Sequence, residues 1–143
     1  MLNRIANRHD ADAGKARLRL WIKMLQMTRG IENELRQRLR SEFDTTLPRF
    51  DVLATLYRRP DGLLMSEISR MLLVSNGNVT GIVDRLVIDK LATRTQRPND
   101  RRTSIVRLTD EGRRLFETMA TAHEDWVDEL LAHLDVKAVQ VFL

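Results

Sequence analysis

Ser75-Asn76-Gly77-Asn78-Val79-Thr80-Gly81-Ile82-Val83-Asp84-Arg85-Leu86 carries two different surfaces in one short segment. Val79, Ile82, Val83 and Leu86 fall at i, i+3, i+4 and i+7, a tight apolar stripe along one side of a helix. At the helical period, Gly77, Gly81 and Asp84 occupy the opposite face, flanked by Thr80 and Arg85. Ser75 is placed to cap the helix, with Asn76 and Asn78 in its first turn. A helix that reads bases in a major groove needs small or hydrogen-bonding side chains near its N-terminus, and Asn76, Asn78 and Thr80 meet that need. Arg85 follows one turn later, placed for a phosphate or a guanine. Each interior glycine costs about 1 kcal/mol relative to alanine. On an exposed face, that cost makes sense where another surface must approach the backbone closely.

Upstream, Asp44-Thr45-Thr46-Leu47-Pro48 reads as a helix start with a threonine cap and a proline in the first turn. Phe50, Leu53, Leu56 and Tyr57 form its expected buried face. Arg59-Pro60-Asp61-Gly62 is a turn. Ser66 is expected to cap a short helix that buries Ile68, Met71 and Leu72. Two short helices in succession, the second with a polar outer face, make a helix-turn-helix.

Downstream, Leu91-Ala92-Thr93-Arg94-Thr95-Gln96-Arg97 and Thr103-Ser104-Ile105-Val106-Arg107-Leu108 are β-branched and partly alternating. Pro98-Asn99-Asp100-Arg101-Arg102 between them is a charged, turn-rich tip, so the segment is a β-hairpin. Arg97, Arg101 and Arg102 suit a ribbon lying beside DNA, with a tip arginine entering a narrow minor groove. Asp100 is spaced to pair with Arg102 and fix its direction. Thr109 caps the next helix, where Leu115, Met119, Ala122, Trp126, Leu130, Leu131 and Leu134 form a stripe. Asp135 starts another helix with Val136, Val139 and Phe142, a pattern still running at Leu143.

Residues 15–40 read as one long helix, with Leu18, Trp21, Leu25, Thr28, Ile31, Leu35 and Leu39 three and four apart. A helix this long in a chain of 143 residues needs a partner, and a second copy of itself is the simple candidate. Net charge is +4 but segregated. Residues 1–40 carry ten Lys/Arg against four acids; residues 94–107 carry five arginines against Asp100; residues 110–135 carry eight acids against two arginines. One surface is thus set to meet a polyanion and another to face away.

Composition excludes much. The chain has no cysteine, hence no disulfide and no thiolate metal site. No apolar run approaches the roughly 20 residues that span a bilayer, and the N-terminus lacks an apolar signal core, so a cytoplasmic protein is expected. His9, His123 and His133 are scattered, and no nucleophile motif, phosphate loop or HExxH appears. No catalytic residue, metal or cofactor is expected. A zinc sensor could use His123 or His133, but both read as surface histidines. A helical interaction module without DNA is the other rival, and it has no use for the arginine hairpin.

The helix from Ser75 to Leu86, together with Asp100-Arg101-Arg102-Thr103-Ser104-Ile105-Val106-Arg107-Leu108-Thr109-Asp110-Glu111-Gly112, resembles the MarR family of winged helix-turn-helix transcription regulators. The resemblance covers the chain from about Arg17 onward. It implies a mainly α fold with a small β-hairpin wing, in a single domain over residues 1–143. Helices in 15–41 and 110–143 would intertwine into a homodimer, and residues 46–109 would form the DNA-binding lobe. The helix from Ser75 would enter the major groove of a palindromic operator, and Arg102, braced by Asp100, the minor groove. Family members are commonly repressors released by small ligands bound between the dimer helices and the DNA-binding lobe. Trp21, Met24, Arg29 and Phe50 could line such a site, the arginine suiting an aromatic carboxylate or an acyl-thioester phosphate. The chain departs from the family in its glycine pair, and the family's final helix usually runs on beyond the point matched by Leu143.

Overall fold

No proline precedes Pro48, and the N-terminal part of the chain is one helix, α1, Leu2–Phe43. The computed structural model describes the backbone of residues 2–72, 76–141 and 143, and the side chains of residues 12–72, 78–100, 103–141 and 143. Helix α1 is longer than the expected 15–40. Its glycines, Gly14 and Gly30, lower helix propensity without interrupting the backbone ladder. It ends where Asp44 turns into the left-handed region at φ 48°. There Asp44 N–H donates to the Arg40 carbonyl (3.1 Å) and Thr45 N–H to that of Leu39 (3.2 Å), using carbonyls the helix leaves unpaired.

The chain divides into two compact units, residues 1–35 and 36–143. In the first, the apolar stripe lies open at its start, where Leu18 is 57% exposed and Trp21 56%, and closes toward its end, with Leu25 and Ile31 half-exposed and Leu35 buried. Leu20, Ile22, Met24 and Met27 are exposed as well.

The second unit is built around α2, Leu47–Tyr57. Thr46 caps it by accepting from Arg49 N–H, and Pro48 sits in the first turn, where a missing N–H costs nothing. Phe50, Val52, Leu53 and Leu56 are buried. Tyr57, expected in the core, is half-exposed; its hydroxyl donates to Glu117 Oε1 at 2.8 Å, which keeps its polar end at the surface.

A two-residue strand, β1 (Leu63–Leu64), follows, and α3 spans Met65–Leu72. Ser66 lies inside the first turn of α3 and is not its cap. Glu67 Oε2 holds that end by accepting from Leu64 N–H at 2.8 Å, a charged acceptor in place of the hydroxyl. Ile68 and Ser69 are buried, but Met71 is 48% exposed, contrary to expectation. Helix α4, Asn76–Ile88, buries Val79, Val83 and Leu86 completely and leaves Ile82 half-exposed.

The hairpin forms from β2, Ala92–Arg97, and β3, Asp100–Leu108. Its tip is shorter than the expected 98–102, because Asp100, Arg101 and Arg102 already belong to β3. Pairing runs regularly to Gln96↔Ser104 and then shifts to Arg97↔Asp100, an irregularity that takes up the extra residues on β3. Strand β1 adds to the other edge of β3 with Leu63↔Val106 and Leu64↔Ile105, making an antiparallel sheet of order β1-β3-β2. Gly62 makes this edge possible. It adopts φ +88°, and a Cβ there would sit 2.6 Å from Ile105 Cγ2 and 2.7 Å from the Val106 carbonyl oxygen.

Helix α5, Asp110–Leu131, starts from Thr109, whose hydroxyl accepts from Gly112 N–H and donates to the Lys90 carbonyl. Any side chain at Gly112 would run into the Leu91 carbonyl. The buried line of α5 is Gly112, Phe116, Met119 and Trp126. Leu115 is half-exposed, so the stripe lies one residue over from its expected course at this end. Phe116 packs against Phe50 and Tyr57, with ring centroids at 5.5 and 4.8 Å. Trp126 packs against Phe43 at 6.1 Å. Helix α6, Val136–Gln140, is capped by Asp135 as expected; Phe142 lies outside the described residues.

Candidate nucleic-acid interface

The burial of Val79, Val83 and Leu86 fixes which side of α4 faces water. Asn78, Gly81, Asp84 and Arg85 are exposed on it and Thr80 is half-exposed. A Cβ built on Gly81 meets nothing within 4 Å, so the backbone there is open to approach. Ser75 lies outside the described residues, and so do the side chains of Asn76 and Gly77, although their backbone forms the first turn of α4.

The hairpin stands beside this face and is tied to it. Arg94 Nη1 of β2 donates to Asp84 Oδ1 of α4 at 2.9 Å. Thr80, Arg94, Thr103 and Ser104 line one shallow pocket with Leu64 and Ser66, so α4, the sheet and the start of α3 meet there. Arg97 is exposed at the end of β2. Asp100, Arg101 and Arg102 begin β3, but the side chains of both arginines, and with them the expected Asp100–Arg102 pair, lie outside the described residues.

A second tie joins α4 to α2. Arg49 Nη2 donates to Asp89 Oδ2 at 2.7 Å, and Arg85 Nε stands 3.4 Å from Asp89 Oδ1. The Arg49 hydrogen bond, assisted by the charges of both arginines, outweighs burial and holds the Asp89 carboxyl below the usual carboxylate range. The sequence reading missed the Arg49–Asp89 and Asp84–Arg94 pairs, whose partners lie 40 and 10 residues apart with no spacing rule to connect them; the Arg85–Asp89 pair, at i,i+4, carried a signal that could have found Asp89.

Of the residues suggested for a ligand, Trp21, Met24 and Arg29 are exposed on α1 within residues 1–35. Phe50 is buried within residues 36–143, where His123 stacks on it at 4.7 Å between ring centroids. Burial pushes the His123 imidazole below its ordinary pKa, opposed by the charge of Asp51. Among the described residues, no three His, Asp or Glu side chains group to hold a metal, and no helix is long and apolar enough to cross a membrane.

Comparison with known proteins bears on the family and the fold. The sequence profile of the MarR family matches residues 43–103, from the end of α1 to the start of β3. The transcriptional activatory protein BadR of Rhodopseudomonas palustris is 30% identical over 82% of this chain and 68% of its own. A mutant of MarR from E. coli, crystallised with operator DNA, is 27% identical with a TM-score of 0.75, covering 86% of this chain and 87% of that one. The PcaV regulator of Streptomyces coelicolor, solved with its natural ligand, is 26% identical with a TM-score of 0.68 over 86% and 83% of the two chains.

Proposed function

Because the chain belongs to the MarR family of DNA-binding transcription regulators, we propose that it acts in the cytoplasm as a homodimeric repressor of a palindromic operator. A small ligand releases it. The observation that carries the DNA reading is α4, whose inner face is fully buried while Asn78, Gly81 and Arg85 stand open on the other. Asn76, Asn78 and Thr80 read bases; Ser75 serves as the cap of the reading helix, and Gly77 and Gly81 let it sit close to the groove; Arg85, Arg97 and Arg101 meet phosphates. Arg102, directed by Asp100, enters the minor groove.

Dimerisation is supported by Leu18 and Trp21 of the α1 stripe, each more than half exposed, since exposed large apolar side chains that fall on one helix face mark an interaction surface. Helices in 15–41 and 110–143 would supply the dimer contact and residues 46–109 the DNA contact. A two-fold dimer presents two copies of α4, which accounts for a palindromic site. An aromatic or acyl-thioester anion is the proposed effector, and the natural ligand bound to PcaV supports a ligand of some kind. The name of BadR favours a second reading, activation in place of repression.

The test is a salt titration on an operator mapped by footprinting beside the protein's own gene. Arg102→Ala is expected to weaken binding, relax preference at the A·T-rich positions and lower the salt slope of log K by about one. Wild-type affinity and slope in a folded variant would mean the hairpin is not a wing. A thermal-melt screen of aromatic acids and their thioesters should find a stabilising ligand that also weakens DNA binding; hits that leave DNA affinity unchanged would refute ligand release.

A further inference from the structure

The polar face of α4 does not stop at the edge of its own helix. A groove of about 340 Å3 runs from it to the beginning of α2, walled by Thr46, Arg49, Asn78, Gly81, Ile82 and Arg85. Arg49 and Arg85 both border this one groove, and their guanidinium groups are bound to the same carboxylate, Asp89, with which they also line a neighbouring polar pocket. The two bonds differ. Arg49 and Asp89 are mostly covered, at 21% and 28% side-chain exposure, and lie 2.7 Å apart. Arg85 is 67% exposed and only loosely paired at 3.4 Å. The short pair anchors the carboxylate, and the long one steers a side chain that otherwise stands in water. A guanidinium has five N–H donors in a planar fork, so one contact to Asp89 leaves most of each fork for other acceptors. Two arginines and one ionised aspartate sum to a single positive charge beside the groove.

We propose that Arg49 and Arg85, set side by side by Asp89, form a phosphate seat that carries the DNA interface from α4 onto α2. Asp89 is its positioning residue. This rests on the reading of α4 as the DNA-facing helix. An aspartate so near a phosphate repels it, and that repulsion weakens binding to any duplex. In exchange, the arginines are held in one geometry, which favours a site whose backbone follows the expected path.

The experiment uses the full chain with two probes: a duplex selected from random sequence by the wild-type protein, and unselected random duplex of equal length. Arg49→Ala should lower the salt slope of log K by about one on both while keeping the base preference. Arg49→Lys keeps the charge and loses the fork, so the slope should hold while affinity for the selected duplex falls. Asp89→Asn should steepen the slope on random duplex by up to about one and reduce the ratio of selected to random affinity. Melting curves establish that each variant is folded. A folded Arg49→Ala protein with wild-type slope removes α2 from the interface. Folded Asp89→Asn with unchanged slope and ratio reduces Asp89 to a structural tie; if that variant fails to fold, an unchanged ratio in Arg49→Lys overturns the positioning role. A wild-type protein that enriches no duplex defeats the DNA reading itself, a separate outcome from all of these.

Discussion

Helices α1 and α4 carry the same kind of apolar stripe and come to opposite ends. In α4, Val79, Val83 and Leu86 are wholly buried within the chain. In the N-terminal part of α1, Leu18, Trp21 and Met24 stand in water. Periodicity reports that a face requires burial; it does not report who supplies the cover. For α4, residues 36–143 supply it. For α1 the cover is proposed to be a second copy, so the two stripes should answer to mutation in different ways.

The largest effect is expected at the buried stripe. Leu86→Ala leaves a cavity in a site that is fully enclosed, and should cost about 3 kcal/mol. Chemical denaturation should register the loss equally at low and high protein concentration if the stripe is satisfied within one chain. A loss that grows on dilution would place Leu86 in the dimer contact and erase the contrast. Next comes Gly112→Ala, whose new methyl meets the Leu91 carbonyl. Since α5 or the β2 connection must shift, a cost of about 2 kcal/mol is expected, of the order found for overpacking. An unchanged melting temperature would show that this junction yields freely.

The open stripe makes a different prediction. Leu18→Ser with Trp21→Ser should leave residues 36–143 folded but shift the mass from dimer to monomer in sedimentation, with dimer dissociation rising at least about tenfold, a modest loss for two apolar anchors. A double variant that sediments as wild type would mean the α1 stripe is not covered by a second copy.

The smallest effect is a pH dependence. His123 lies on Phe50 with its folded pKa depressed by burial. Between that value and the unfolded value of about 6.5, the unfolded chain binds more protons, so stability rises with pH. Stability from a neutral His123 is thus complete above about pH 6.5 and is lost as pH falls through the folded pKa. The melting temperature should decline from pH 7.5 to 5.5, and His123→Gln should flatten the decline. Asp89, bonded to Arg49, and Glu129, which accepts from Arg38 Nη1 at 2.7 Å, are both held low by these arginines and lose their contributions only lower, as pH falls below the carboxylate range. An identical slope in His123→Gln would assign the decline to other groups.

Much of this molecule is local, and what is local could be read from the chain. The α4 stripe, the caps at Thr46, Thr109 and Asp135, and the hairpin with its arginines are all set by residues within a few positions of one another. The MarR resemblance rests on the same segments. What escaped is non-local or degenerate. Strand β1 has two residues and no period of its own; it exists because β3 offers an edge and Gly62 lets the chain reach it. Leu115 and Phe116 are adjacent and both apolar, so a stripe could be drawn through either, and only the rings of Phe50 and Tyr57 select Phe116. At Ser66 a hydroxyl competed with the Glu67 carboxylate, and the ionised acceptor won. The Arg49–Asp89 bond joins residues 40 apart in sequence, beyond any spacing rule.

Gly62 has a consequence for anyone who would re-engineer the protein. Through β1 it stitches the approach to α3 onto β3, the middle strand of the sheet, while Arg94 and Asp84 lash β2, the outer strand, to α4. The two parts that would touch DNA are therefore one casting. Exchanging the α4 segment alone for a donor without an acid at position 84 would leave Arg94 without that anchor. A graft should carry residues 62–108 as a block, and a chimera cut between α4 and β2 should bind less selectively than either parent.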